Sequence, residues 1–273
     1  MIVDAWIQHP TPAFLRHPSF EPLRRWMRME EVPESISLDF TLQALEQAGV
    51  DLALASAWHG PSGALISNDD VAGWVAASGG RLRGVGSVDL RRPMAAVREV
   101  ARCKRLGFVG IRVLPWLWDL PPDDRRYYPV YAACVEHALP FCLQVGHTGP
   151  LMPSEPGRPI PYLDRVALEF PELVIVGGHV GHPWEAEMVS LATKYPNVYI
   201  DTSAYKPSRY PPALVDFLRG RGRSKVLFGS NFPMLTPGVC LDGVGALQLD
   251  DEARRLFLGE NAARVFGLEA RPG

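Results

Sequence analysis

No stretch of this chain approaches the ~18 consecutive apolar residues of a membrane-crossing helix. The N-terminus also lacks the basic segment and long apolar run of a secretory leader. Excess charge is missing as well. The chain has 28 Lys and Arg against 30 Asp and Glu, a net charge of −2. That leaves no basic footprint for nucleic acid and no charged tail for a strongly charged partner. Cysteine is sparse: Cys103, Cys134, Cys142 and Cys240 form no CxxC pair. A zinc knuckle and a redox dithiol are thereby excluded, and buried reduced thiols are expected. These absences predict a soluble cytoplasmic protein that acts on a small molecule, with no nucleic-acid or membrane partner.

What is present is a series of apolar, β-branched runs. The chain has 273 residues and is 47% hydrophobic, enough for a sizeable core. The runs are IVDAW at 2–6, VDLALASAW at 50–58, LRGVGSVDL at 82–90, FVGIRVLP at 108–115, FCLQVGH at 141–147, LVIVGGHVG at 173–181, VYIDTSA at 198–204 and KVLFGSNFP at 225–233. Eight such runs suit strands buried on both faces of a parallel sheet. Amphipathic segments lie between them, such as SLDFTLQALEQAG closing at Gly49 and SNDDVAGWVAASGG opening at Asn68 as N-cap. From the second strand on, a new unit begins about every 25–35 residues, the spacing of a (β/α)8 barrel. An open nucleotide-binding sheet would want GxGxxG after its first strand, and WIQHPTPAF stands there instead. The expected organisation is one barrel domain over 1–273 with a first-loop insertion at 9–35. Two further long loops, 115–127 and 148–161, should lie with it at the carboxyl end of the strands. The apolar insertion also leaves a homo-oligomer open.

In such a barrel the site is built where the strands end. Those ends supply Trp6, Gln8 and His9; Trp58 and His59; Asp89; Arg112; His147; His179 and His182; Asp201 and Ser203; and Asn231. Alternation places Asp4, Trp6 and Gln8 on one face of the first strand. Arg112 is the leading charged candidate, because its fork suits a carboxylate. Its plainer reading is a buried salt bridge to Asp89 or another barrel acid. His59 and His182 face either the pocket or only their loops. For Trp6, Trp116 and the other tryptophans near strand ends, core packing is the plainer reading beside a substrate-lining one.

The same residues carry a resemblance. IVDAWIQ, QVGHTGP, VGGHVGHPW, VYIDTSA, LFGSNFPM and the closing LGENAARVFGL resemble the amidohydrolase-related family of metal-dependent hydrolases and decarboxylases. The resemblance spans essentially the whole chain and implies a (β/α)8 barrel. It also implies one zinc or similar ion held by an HxH pair on strand one, histidines on strands five and six, and an aspartate on strand eight. Position by position, the two histidines fall on His147 and His179, the HxH pair on Trp6 and Gln8, and the aspartate on Asn231. Tryptophan ligates no metal, and neutral amides are poor zinc ligands. The expectation is therefore no cofactor, with zinc or another divalent metal on His147 and His179 as the alternative.

The function this predicts is metal-independent hydrolysis of a small cyclic ester, lactone or amide bearing a carboxylate. His147 or His179 would act as base, Arg112 would grip the carboxylate, and Asn231 or Gln8 would support the oxyanion. Trp6, His59, His182, Trp116 and Ser203 complete the expected substrate-binding set. Decarboxylation of a small aromatic or unsaturated acid needs nearly the same residues and is the alternative. A catalytically silent barrel that binds a small acid or a partner protein is the third.

Overall fold

Each of the eight apolar runs contains a strand. They are β1 Val3–Ile7, β2 Leu52–Ser56, β3 Leu82–Gly86, β4 Gly110–Val113, β5 Phe141–Gln144, β6 Ile175–Gly178, β7 Val198–Asp201 and β8 Val226–Leu227. They pair in that order, all in parallel. The sheet closes where β1 meets the segment after β8. There the Ala5 N–H donates to the Phe228 carbonyl (2.9 Å), the Asn231 N–H to that of Trp6 (2.8 Å) and the Gln8 N–H to that of Phe232 (3.0 Å). The result is the expected (β/α)8 barrel. The computed structural model describes residues 1–26 and 28–269.

Helices link the strands, and their ends follow local chemistry. Leu38–Gln47 stops where Gly49 takes φ +69°, a conformation that glycine adopts without a Cβ clash. Asn68–Ala77 is capped by Ser67, not by Asn68 as the sequence suggested. Ser67 and Asp70 form a reciprocal capping box. Asn68 is buried instead, and its amide ties Ser87 on the β3 side to Glu99 of the next helix (2.6 Å). Pro93–Arg105 begins on proline and ends on Arg102, Lys104 and Arg105, matching the polarity of the helix dipole.

Strand β1 departs from simple alternation. Asp4 pairs with Ala53 and Ile7 with Ala55, so three steps on β1 oppose two on β2. This bulge turns Trp6 and Gln8 to the barrel interior while Asp4 stays on the other face. The expectation that all three share one face is corrected by that extra residue. The Asp4 carboxylate holds the bulge, accepting from the N–H of Trp6 (3.2 Å) and of Ser230 (2.9 Å).

The interior is layered as a consequence. The lowest layer is hydrocarbon: Val3, Ala5, Leu52, Leu54, Val85, Val176 and Leu227, packed with Ala262 and Phe266 of the helix Asn261–Phe266. Above it the Arg112 guanidinium lies 3.4 Å from the centroid of the Trp6 ring. Gly178 on β6 makes room for that ring, since a Cβ there would sit 2.3 Å from Trp6 Cζ3. The top layer is open and carries the site.

Beyond β2 the chain forms a short antiparallel ribbon, Trp58–Gly60 with Gly63–Ile66, which the sequence did not suggest. The first loop folds into helices Pro12–Arg16 and Glu21–Trp26. His9 anchors it: Nε2 donates to the Ile36 carbonyl (3.2 Å), so Nδ1 accepts from the Thr41 hydroxyl (2.7 Å). All four cysteines are buried and free. Among the described residues, no helix is long and apolar enough to cross a membrane.

Candidate functional site

A cavity of about 510 Å³ opens at the carboxyl ends of the strands. All three long loops reach it: the first through Phe14, Phe20, Leu23, Arg24 and Trp26, the second through Trp116, the third through Gly149 and Pro150. Gln8, His179 and Asn231 also line it, together with His147 and Gln144. Both His179 (φ +72°) and Asn231 (φ +67°) occupy the left-handed region, which is costly for residues with a Cβ. Such strain points to positions that the surroundings fix firmly.

The polar side chains at the barrel end are oriented by one another. Gln8 Nε2 donates to the Phe232 carbonyl (2.6 Å) and to Asn231 Oδ1 (3.1 Å). That commits Asn231 Oδ1 as acceptor and leaves its Nδ2 to donate. Gln8 Oε1 is buried without a partner. His179 shares its Nδ1 with Ser203 Oγ (2.7 Å), which leaves Nε2 for the cavity. Burial, and then the Arg112 charge, push its pKa down to about 3. His179 is therefore a neutral imidazole across the physiological range.

On the wall, Gln144 Oε1 accepts from the Trp116 indole N–H (2.7 Å), and its Nε2 donates to the His147 carbonyl (3.0 Å). The His147 ring is exposed at the cavity. Partial burial and then the neighbouring His182 hold its pKa below the usual value. Arg24 NH1 donates to the carbonyls of Leu15 and His17. Its guanidinium has no acidic partner among the described residues, and no other Arg or Lys among them lines the cavity.

The cavity thus brings together His147, His179, Asn231, Gln8, Trp58 and Trp116. The other expected residues fall outside its lining. Arg112 is 1% exposed and bonds to Ser56 Oγ and to the Ala5 carbonyl (3.1 Å). It grips no substrate carboxylate, because Trp6 covers it. Nor does it form the expected salt bridge: Asp89 pairs with Arg91 (2.9 Å), and no acid lies within ion-pair distance of Arg112 among the described residues. Trp6 itself is fully buried, lying between Arg112 and the tilted His179 ring (4.7 Å between ring centroids). Ser203 is buried beneath His179 and reaches the cavity only through it.

His59 lies in a separate polar depression with Asp89 and Glu99, its ring stacked on Trp118. His182 is about half exposed and faces Glu185 (3.6 Å). Three lining residues carried no signal strong enough to single them out in the sequence. Gln144 is an uncharged amide closing an apolar strand, and Arg24 and Tyr205 sit in loops whose course no pattern fixes.

The comparisons with known proteins bear on the chemistry. The family model described as amidohydrolase matches residues 8–268. A gamma-resorcylate decarboxylase of Rhodococcus jostii is 27% identical, the match covering 74% of this chain and 76% of that protein. Among solved structures, an uncharacterised TIM-barrel protein of Bordetella bronchiseptica superposes with a TM-score of 0.84 at 24% identity, covering 97% of this chain and 98% of that one. A dihydroxybenzoic acid decarboxylase of Polaromonas, solved with bound manganese and the inhibitor 2-nitroresorcinol, gives 0.72 at 19% identity over 98% of each chain.

Two expectations are corrected. Hydrolysis of a cyclic ester or amide gives way to the alternative, since the named relatives are decarboxylases of aromatic acids. The expectation of no cofactor is overturned by neighbours solved with manganese, which point to a divalent metal. The physical reason lies in the choice of ion. Amide oxygens suit zinc poorly, but oxygen donors suit manganese. No group of three or more His, Cys, Asp or Glu among the described residues is placed to hold a metal ion. The orphaned Gln8 Oε1 and the free Nε2 of His179 are the neutral donors that suit such an ion.

Proposed function

From the premise that this chain belongs to the amidohydrolase family, we propose that it decarboxylates an aromatic acid bearing a phenolic hydroxyl. One observation carries the reading. The cavity combines neutral polar groups, His179, Asn231 and Gln8, with aromatic walls, and its only guanidinium or ammonium group among the described residues is Arg24. In decarboxylation the bond between ring and carboxylate breaks. Its electron pair stays on the ring carbon and takes a proton, and carbon dioxide leaves. Negative charge moves from a compact carboxylate into the ring. A pocket that solvates the carboxylate weakly and supports the delocalised charge lowers that barrier.

Each residue then has a task. Arg24 draws in the carboxylate with the donors that Leu15 and His17 leave free. Nε2 of neutral His179 accepts a hydrogen bond from the phenolic hydroxyl, its ring held by Ser203. Asn231 Nδ2 donates to the phenolic oxygen as charge builds there, because Gln8 fixes the amide with Oδ1 turned away. His147, open to solvent, carries the proton to the ring carbon and is resupplied from bulk water. Trp116, fixed by Gln144, offers a flat face to the ring. A divalent ion would instead take His179 Nε2 and the free Gln8 Oε1 as ligands, replacing the hydrogen bond from the phenol. When bound, it supplies positive charge beside the phenolic oxygen.

The test is direct. The protein is stripped of metal, divided, and assayed with and without manganese on 2,6-dihydroxybenzoate and on a lactone carboxylate. Release of carbon dioxide and resorcinol from the aromatic acid is expected. Ring opening of the lactone with no carbon dioxide from any aromatic acid would overturn the reading.

A further inference from the structure

The cavity is larger and greasier than a one-ring acid needs. A dihydroxybenzoate fills only part of 510 Å³, a volume in the range that takes drug-sized ligands. Polar groups suited to such an acid gather at the ends of the strands. Apart from Arg24, the first loop adds an apolar wall, continued by Met234 and Leu235 beyond the last strand. Phe14 and Phe20 pack ring to ring (4.4 Å), and Phe20 meets Trp116 edge-on (6.4 Å). At the mouth, Leu23 and Trp26 lie directly over Gly149. A Cβ there would come within 2.8 Å of Leu23 and 3.3 Å of Trp26. Trp26 lines the cavity yet is 64% exposed. Exposed apolar surface continuous with a binding cavity marks where a ligand is covered.

We propose that the substrate is an amphipathic aromatic acid. Its phenolic head sits at His179 and Asn231, and an apolar arm on the ring, an alkyl chain or second ring, runs past Phe20 and Leu23 to lie under Trp26. The proposal rests on the decarboxylase reading for its head group, while the arm follows from the first loop alone. Trp26 is then the residue that sets specificity for the arm.

The experiment is calorimetric binding, which needs no turnover. The ligands are 2,6-dihydroxybenzoates carrying straight chains of zero to seven carbons at ring position 3 or ring position 4, and the matching resorcinols without the carboxylate. Affinity is expected to rise roughly fourfold per methylene over the first few carbons and then level off where the chain leaves the protein. Trp26→Ala should flatten the slope. If slope and Trp26 sensitivity appear in both series but the carboxylate adds nothing, the arm stands and the acid reading fails. If the unsubstituted acid binds best, or if the slope is indifferent to Trp26→Ala, the arm is overturned.

Discussion

The carboxylate-binding role that the sequence suggested for Arg112 passes, in the proposed function, to Arg24, which the sequence did not single out. Arg112 stands at the end of β4 as a site residue should, yet its guanidinium folds under Trp6. The strand-end rule locates a Cα; it does not say which layer a long side chain enters. Arg112→Lys should therefore leave KM for the acid unaltered and lower the urea midpoint by the equivalent of about 2–3 kcal/mol, since a buried, stacked fork is lost. Arg24→Ala should do the reverse, raising KM at least tenfold with little change in kcat. An interaction with the departing carboxylate favours binding more than the chemical step.

His147 gives a sign for pH. Its pKa lies below the usual value, so its protonated fraction falls as pH rises through that lowered pKa. The decarboxylation rate at saturating acid should fall along the same limb, and His147→Gln should remove the limb. A profile that His147→Gln leaves unaltered would take the proton-carrying role away from it.

The elements themselves were largely legible. Runs buried on both faces leave few readings other than parallel strands, and the turn residues between them fix the count. The bulge in β1 was not legible. Asp4, Trp6 and Gln8 alternate in sequence, and only the β2 pairing shows the extra residue that separates Asp4 from the other two. The first loop was equally opaque, because the sequence marks 9–35 only as an apolar insertion and singles out none of Phe14, Leu23 and Trp26. The layer that the bulge creates is tight. Gly178→Ala should destabilise the protein by about 1–3 kcal/mol through overpacking against Trp6. Trp6→Leu should relieve much of that cost, so the double variant should be more stable than the two single effects summed. Additive losses in urea unfolding would show that the contact is not what holds Gly178 in place.

At the scale of the whole molecule, the barrel encloses ionisable groups that set how stability responds to pH. Burial raises the Asp4 pKa to about 7, from 3.8 for the unfolded chain. The folded protein therefore holds an extra proton between those values, and this contribution to stability declines as pH rises from about 4 to about 7. His179 acts oppositely, since its lowered pKa disfavours the fold as pH falls below 6.5. The two slopes partly cancel, so the difference between wild type and Asp4→Asn is the informative quantity. It should change by up to about 1.4 kcal/mol per pH unit across that window. A constant difference would mean that Asp4 is ionised in the fold.

Arg112 has one more effect, although it touches nothing in the cavity. Its charge sits one indole thickness below His179, with the carboxyls of Asp4 and Asp201 both shifted toward their neutral forms. A positive field consequently rises through the floor of an otherwise neutral pocket. Dissolved ions screen charges at the protein surface, but they do not reach this one. Added salt should weaken the pull of Arg24 on an incoming anion while leaving the pull from below nearly intact. Anion binding by the Arg24→Ala variant should then be almost independent of ionic strength, whereas binding by the intact protein declines with salt toward the same limit.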